Sequence, residues 1–172
     1  MYEKILKFIE DHSLIVPGER VLAAVSGGPD SVTLARLLGE MKAETGLVWG
    51  MVHINHLLRG GESDRDEAFC VELAQELGVA LLVKQVDTPA LHRAEAGSVE
   101  EIARRERYRL LAEAAIEFDA SRIALAHHAD DNVETVVHRI LRGTGLHGLA
   151  GIPLRRSLPD SNGAEVVRPL LN

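Results

Sequence analysis

The stretch VLAAVSGGPDSVTLARLL, from Val21 to Leu38, decides the fold. It joins an apolar run, Val21–Val25, to a helical pattern that continues to Thr45, through a loop rich in glycine and serine. Glycine lets consecutive backbone N–H groups converge, and the helix directs the positive end of its dipole to the same point. The loop has neither the lysine of a Walker A loop nor the G-x-G-x-x-G spacing of a dinucleotide fold. We therefore predict a phosphate cradle made by Ser26, Gly27, Gly28, Pro29, Asp30 and Ser31.

Asp30 is the unexpected residue in this loop, because a carboxylate repels a phosphate unless another group intervenes. In one interpretation, Asp30 is the N-cap of the following helix. In the other, it binds Mg²⁺, which bridges the carboxylate to phosphate oxygens. The residues alone leave both interpretations open.

The composition is that of a folded domain of ordinary size. The chain has 172 residues, of which 46% are hydrophobic and 26% charged, and this balance argues against disorder. Cys70 is the only cysteine, which excludes an intramolecular disulfide and a metal cluster held by cysteines alone. Apolar runs have the length of strands, and Tyr2–Asp11 has the pattern of an amphipathic helix. We expect a cytoplasmic protein with no membrane partner.

The charge is unevenly distributed along the chain. The net charge is -7, so there is no general basic surface for nucleic acid. The segment Arg139–Asn172, however, has five arginines against two acidic residues. This basic end has two explanations, chance in a short window or a polyanionic partner.

Strand and helix patterns alternate along the chain, which predicts an α/β fold with a doubly wound, mostly parallel sheet and helices on both faces. The five predicted strands are Val21–Val25, Leu47–Ile54, Leu81–Val86, Arg122–Ala126 and a last one near Glu165–Arg168. The helices that follow the first four strands are predicted at Asp30–Thr45, Glu62–Leu77, Ser98–Phe118 and Asp130–Arg142. Polar residues follow strands one, two and four, at the sheet edge where such folds bind ligands.

Local signals add three expectations. Ser98 and Glu101 form a capping-box pattern at the start of a long helix. Ser63 and Asp66 have the pattern of a capping pair at the start of the preceding predicted helix. The segment Asp87–Gly97 is expected to be a mobile or substrate-facing loop.

Five motifs, taken together, carry a family resemblance. They are S-G-G-x-D-S at 26–31, H-x-N-H-x-L-R-G…S-x-x-D at 53–66, A-R-x-x-R-Y at 103–108, A-H-H-x-x-D-x-x-E-T at 126–135, and R-G-T-G…G-L-x-G-I at 142–152. In this order and spacing, Val21–Pro153 resembles the tRNA(Ile)-lysidine synthases, which belong to the PP-loop ATP pyrophosphatase superfamily. The resemblance implies an adenine nucleotide alpha hydrolase-like (PP-loop) fold over residues 1–172, a single catalytic domain without the C-terminal tRNA-binding regions of the family.

The resemblance also implies a reaction. Such enzymes are ATP-dependent ligases that use ATP and Mg²⁺. They adenylate the position-2 oxygen of the wobble cytidine in an isoleucine tRNA with a CAU anticodon, and pyrophosphate leaves. The amine of free L-lysine then displaces AMP to give lysidine. The implied partners are that tRNA and L-lysine, and a homodimer is compatible with the resemblance.

The matching positions receive roles from the same resemblance. The implied catalytic residues are Asp30, Arg104, Arg107, His127, Asp131 and Glu134, with Asp30 and Asp131 as metal ligands. His53 joins the glycine-serine loop as a cofactor-binding residue, and the substrate-binding residues are Asn55, His56, Arg59, Arg142, Gly143, Thr144 and Gly145.

Several of these roles have simpler alternatives. Arg104 and Arg107 share a helix face and can equally form surface salt bridges. The residues near Asn55 can be a polar turn, and His128 and Asp130 can be capping or supporting groups. The proton of the lysine amine needs an acceptor, and the sequence leaves Asp131, Glu134 and His127 open for this role.

Three other functions compete with the main hypothesis. A tRNA thiolase is expected to need several cysteines, of which this chain has one. An amide-forming synthetase would share the glycine-serine loop but not the R-G-T-G segment. A nucleotide-binding regulator without chemistry would have little use for Asp131, Glu134 and the two arginines.

Overall fold

Six strands form one sheet in the computed structural model, which describes residues 2–58, 60–143, 145 and 149–172. The strands are β1 Arg20–Ala24, β2 Val48–Asn55, β3 Leu81–Gln85, β4 Arg122–Ala124, β5 Arg155–Ser157 and β6 Glu165–Val167. Their order is β3-β2-β1-β4-β6-β5, and only the β5–β6 pair among them is antiparallel. The predicted α/β class and the mostly parallel sheet are therefore confirmed.

The sheet has one strand more than the five predicted. Strand β5 lies at the edge and pairs antiparallel with β6, with Arg156 opposite Val166. Its three residues are all exposed and none is apolar. A strand of this kind leaves no alternation of hydrophobic residues to detect, because both of its faces are in water.

Helices cover both faces of the sheet, as predicted. They are α1 Tyr2–Asp11, α2 Pro29–Thr45, α3 Gly61–Leu77, α4 Thr88–Ala94, α5 Val99–Phe118 and α6 Ala129–Leu141. Successive residues of β1 point to opposite faces, and this alternation divides the core in two. Val21 packs with Leu34 and Leu38 of α2 on one face, and Leu22 packs with Leu111 of α5 on the other.

The expectation of a loop at Asp87–Gly97 is wrong, because α4 occupies most of that segment. The Asp87 carboxylate caps α4 by accepting a hydrogen bond from Ala90 N at 2.8 Å. Pro89 in the first turn suits a helix start, since its missing N–H would have no partner there. A cap and a proline in a segment of only seven helical residues are a weaker signal than apolar periodicity over several turns.

The two capping predictions have opposite outcomes. Glu101 N donates to Ser98 Oγ at 3.2 Å and Ser98 N donates to Glu101 Oε2 at 2.9 Å, so the capping box is confirmed. The predicted cap by Ser63 and Asp66 is wrong, because α3 begins at Gly61 and its N-cap is Gly60, without a side-chain bond. Asp66 lies in the second turn of α3, past the free N–H groups at its start.

Among the described residues, none of the helices combines the length and apolarity needed to cross a bilayer.

Candidate nucleotide-binding site

A cavity of about 310 Å³ opens where β1, β2 and β4 end. Its lining combines apolar strand residues with polar groups from the loops and helices that follow: Ala24, Val25, Ser26, Gly28, Asp30, Ser31, Val52, Ile54, His56, Arg107, Leu125, Ala126, His127 and Asp131. The carboxyl ends of parallel strands meet at one edge of a sheet, so residues distant in the chain become neighbours there. The predicted convergence of the three polar segments is therefore present in the structure.

The glycine-serine loop is held in shape by its own hydroxyl groups. Ser31 Oγ donates to Gly28 O at 2.8 Å and accepts from Ser26 N at 3.2 Å. Ser31 is buried, whereas Ser26 is exposed at the cavity. Gly27 has a φ of +91°, which a residue with a side chain rarely adopts. Ser31 thus orders the loop, and Ser26 and Gly28 line the cavity.

The N-cap interpretation of Asp30 is wrong. Helix α2 begins at Pro29 and its N-cap is Gly28, so Asp30 is already in the first helical turn. Pro29 takes the position at which a missing N–H costs least, and this shifts the cap to the glycine before it. The Asp30 carboxylate is consequently free to act at the cavity.

Two carboxylates approach the same histidine at the rim of the cavity. His128 Nε2 lies 3.6 Å from Asp30 Oδ2 and 3.7 Å from Asp131 Oδ2. His128 is also the N-cap of α6, and its N–H donates to Asp131 Oδ2 at 2.8 Å, so its predicted capping role is confirmed. Asp130 lies beside them in the first turn of α6.

This pair of carboxylates fits a magnesium ion in its chemistry. Mg²⁺ is commonly held by one or two carboxylates together with phosphate oxygens and water. Asp30 and Asp131 supply two such groups next to the glycine-serine loop. No cluster of three or more histidine, cysteine or acidic ligands occurs in the described part of the chain. The donor set therefore suits an ion that takes its other ligands from a nucleotide.

His127 faces cations, in contrast to its neighbour His128. Arg168 Nε donates to His127 Nδ1 at 3.3 Å, and burial and the Arg168 charge lower the pKa of His127. Arg168 is 2% exposed, and its Nη1 donates to Pro153 O at 2.6 Å. Burial also lowers the pKa of Arg168, but an arginine stays charged at neutral pH.

Helix α5 brings further cations to the same side. Arg107 lines the cavity, and the Arg104 guanidinium lies 5.4 Å from the centre of the Tyr108 ring. Arg156 of β5 lies 5.0 Å from the same ring. Within the described ranges, neither Arg104 nor Arg107 forms an ion pair, in contrast to Arg105, which binds Glu95 at 2.8 Å. The surface salt-bridge alternative for the two predicted arginines thus has no support here.

The polar residues at the end of β2 and just after it divide into buried groups and groups that line the cavity. His53 is buried away from the lining, with Nδ1 2.8 Å from Val25 O. Asn55 is also buried, and its amide donates to Glu67 at 2.9 Å. His56 lines the cavity, and burial and the charge of Arg107 lower its pKa. Its Nε2 is buried without a hydrogen-bond partner among the described residues.

The other predicted residues that the structure describes lie outside the cavity wall. Glu134 is exposed on α6, and Arg142 is the C-cap of that helix. Gly143 follows with a φ of +76°, and Gly145 is exposed. Arg59 and Thr144 lie outside the described residues.

Two residues of the site escaped the sequence analysis. The sequence marks Arg168 only as part of the basic end, and its contact with His127 spans 41 positions. Asp66 faces the glycine-serine loop, because a Cβ added to Gly27 would lie 3.4 Å from Asp66 Oδ1. The S-x-x-D part of the second motif contains Asp66 and was the available signal for it.

Fold and cavity together define a nucleotide-binding α/β domain with a glycine-serine phosphate loop. The chain belongs to the PP-loop domain family, a family of ATP-binding domains that matches residues 1–172. It is similar to proteins named tRNA(Ile)-lysidine synthase. The one from Dehalococcoides mccartyi is 40% identical over 98% of this chain and 36% of that protein. The one from Chlorobaculum tepidum is also 40% identical, over 98% of this chain and 49% of that protein. The chain thus spans about a third to a half of the length of these curated relatives.

Solved structures support the same fold. A U34-tRNA thiolase from Methanococcus maripaludis, with its [4Fe-4S] cluster, superposes with a TM-score of 0.77 at 20% identity, over 98% of this chain and 57% of that one. An NH3-dependent NAD synthetase from Campylobacter jejuni has a TM-score of 0.59 at 16% identity, over 99% of this chain and 66% of that one. At these identities the likeness concerns the fold alone.

Proposed function

We propose that this chain is the catalytic domain of a tRNA(Ile)-lysidine synthase, which adenylates the wobble cytidine of an isoleucine tRNA and joins lysine to it. The observation that carries the proposal is the cavity itself. A glycine-serine loop, a carboxylate pair and a group of arginines surround an apolar floor at the ends of three strands. The names of the relatives supply the reaction that this cavity is proposed to perform.

The cavity offers separate surfaces for the parts of ATP. Val52, Ile54 and Leu125 give an apolar wall suited to a purine ring. The glycine-serine loop offers backbone N–H groups and Ser26 to the β and γ phosphates. Arg104 and Arg107 would neutralise charge that develops at the α phosphorus. His56 Nε2, which is buried without a partner, is suited to hydrogen-bond the adenosine or the cytidine.

Magnesium would be held by Asp30 and Asp131 together with phosphate oxygens. When bound, the ion would neutralise phosphate charge beside the loop. The protein's own groups would orient ATP so that the cytosine oxygen meets the α phosphorus in line with the departing pyrophosphate. No protein nucleophile is required for this step.

The second step needs lysine as a neutral amine. Its nitrogen attacks the activated cytidine carbon, AMP leaves, and a protein group or water must take the proton. Asp131 and Glu134 are carboxylates near the start of α6 and are suited to hold the lysine ammonium before it is deprotonated.

The RNA partner is proposed to be isoleucine tRNA with a CAU anticodon, in the cytoplasm. Arg142, Gly143 and Gly145 follow α6 and would meet RNA backbone or an unstacked base, together with Arg59 and Thr144. Asn55 would act through the shape of the turn after β2, since its amide is used internally. We also propose that the chain acts as a single catalytic unit, alone or as a homodimer.

Exchange of labelled pyrophosphate into ATP tests this proposal directly. The 172-residue chain is incubated with ATP, Mg²⁺ and transcribed isoleucine tRNA, with and without lysine. Exchange that requires the tRNA, and fails when its wobble cytidine is replaced by uridine, is the expected result. ATP binding without tRNA-dependent exchange, both in this chain and in the same domain joined to the C-terminal part of a relative, would refute it.

A thiolase function has less support. The structurally similar thiolase carries an iron–sulfur cluster, whereas Cys70 is the only cysteine of this chain and is buried.

A further inference from the structure

The contact between Arg168 and His127 occupies one of the two ring nitrogens of His127. Arg168 is almost completely buried, and it is anchored at one end by Pro153 O, which accepts from Nη1 at 2.6 Å. Its Nε lies 3.3 Å from His127 Nδ1. Since His127 lines the cavity and its Nδ1 is taken by Arg168, the ring nitrogen left for a ligand is Nε2.

This hydrogen bond can run in only one direction. A guanidinium has five N–H donors, no acceptor, and stays protonated in proteins. His127 Nδ1 must therefore be the acceptor, which requires a lone pair on that atom. A neutral histidine with a lone pair on Nδ1 carries its proton on Nε2.

The other groups around His127 act in the same direction. Arg104 and Arg107 face it from α5, and their charges disfavour a second proton on the ring. Asp131 on α6 is the acidic group that opposes them. Burial and Arg168 together outweigh it, so the pKa of His127 lies below its ordinary value.

We propose that Arg168 is a positioning residue that holds His127 as the Nε2–H tautomer, so that His127 donates a hydrogen bond into the cavity and does not accept a proton there. The tautomer of His127 does not depend on the proposed function, whereas the role of that tautomer in the reaction rests on the proposed function. His127 would donate to a phosphate oxygen, and of the three open candidates for the proton acceptor Asp131 and Glu134 would remain.

Long-range ¹H–¹⁵N spectra of the labelled full chain test the tautomer without any substrate. His127 is assigned by the loss of its signals in H127Q. At about pH 7.5, we expect the chemical shifts of a protonated Nε2 and an unprotonated Nδ1. In R168M, which lacks the donor, both nitrogens should shift toward intermediate values, and on acidification the ring should gain its second proton at a higher pH than in the wild type.

Two further variants distinguish the effect of losing the Arg168–His127 hydrogen bond from the effects of misfolding and of losing a nearby positive charge. R168K keeps a side chain that can only donate, so the Nε2–H form should persist even if R168M does not fold. R156M is the matched control, because it also removes one positive charge on this side of the protein. Arg156 stacks on the Tyr108 ring, so its replacement should leave the tautomer of His127 unchanged. A wild-type ring with its proton on Nδ1, or a folded R168M with wild-type His127 signals, would overturn the proposal.

The exchange assay tests the donor role. Glutamine places an amide N–H close to the position of Nε2, whereas alanine removes the donor. We expect H127A to lose about 10²-fold in exchange rate, as for the loss of one oriented donor, and H127Q to lose much less. Equal loss in both variants would overturn the donor role. If the wild type shows no exchange at all, the proposed function fails while the NMR result still decides the tautomer.

Discussion

Replacing Gly27 by alanine tests whether the glycine-serine loop depends on one backbone angle. Gly27 has a φ of +91°, and a Cβ there would also lie 3.4 Å from Asp66 Oδ1. A non-glycine residue in such a conformation costs about 1–3 kcal/mol, offset by about 0.4–1 kcal/mol from the smaller entropy of the unfolded chain. We therefore expect G27A to lose roughly 1–2 kcal/mol in free energy of unfolding.

Gly28 is the matched control for stability. Its φ and ψ of -74° and 159° are allowed for alanine, and a Cβ there would meet only Ser26 Oγ at 3.5 Å. G28A should therefore unfold at the same urea concentration as the wild type or slightly above it. If G27A is as stable as G28A in urea denaturation and also binds ATP with the affinity of the wild type, the argument from backbone strain is refuted.

Any part of this strain that the free loop relieves should weaken ATP binding instead. To the extent that the G27A loop relaxes in the free protein, the loss of stability is smaller and ATP must restore the strained conformation; if all of the strain is relieved in this way, roughly 1–2 kcal/mol corresponds to about 5–30-fold in Kd. Isothermal titration calorimetry with ATP and Mg²⁺ measures this. Unchanged affinity is therefore expected where G27A shows the full loss of stability, and unchanged affinity together with unchanged stability would contradict the strain argument.

Three further perturbations have expected outcomes. Burial raises the pKa of the Cys70 thiol to about 12, so the native protein should resist a thiol reagent at about pH 8 and react only after denaturation. G50A should lose about 1–3 kcal/mol of stability, because its Cβ would lie 2.9 Å from Phe118 Cε2, whereas G61A meets open space and serves as its control in urea denaturation. Since the pKa of folded His56 lies below the ordinary 6.5, the unfolded chain binds more protons in that window, and stability should fall as pH drops from about 7 toward 5.5; H56Q should show a shallower dependence.

Much of the fold could be predicted from local patterns. The strand ends followed by polar residues had to meet at one edge once the sheet was parallel, and His56, His127 and Asp30 do line one cavity. Strand β5 could not be predicted, because its exposed residues carry no periodic signal. The position of Asp30 inside the first turn of α2 was also not predicted, because the helix begins at Pro29 and its N-cap is therefore Gly28.

The residues that support the site are harder to predict from the sequence than the residues that line the cavity. Arg168 meets His127 across 41 positions, and no local pattern marks a pair so distant in the chain. His53 and Asn55 matched a motif, but a motif does not distinguish a residue that touches a ligand from one that supports the loop. In this structure both side chains are buried and hydrogen-bonded inside the protein, which favours the supporting role.

The adjacent histidines 127 and 128 divide the cavity by charge. Arg168 donates to His127, with Arg104 and Arg107 facing it, whereas two carboxylates approach His128. One side of this dipeptide thus favours anions and the other favours cations. The proposed function would place a triphosphate, a metal ion and an ammonium group in one cavity, and it would require such a separation, because a mixed arrangement would pair the protein's own charges and leave none for the ligands. Neutralising one side should therefore weaken the binding of one class of ligand: D131N should weaken the response to Mg²⁺ and lysine, and R107Q should weaken the binding of ATP.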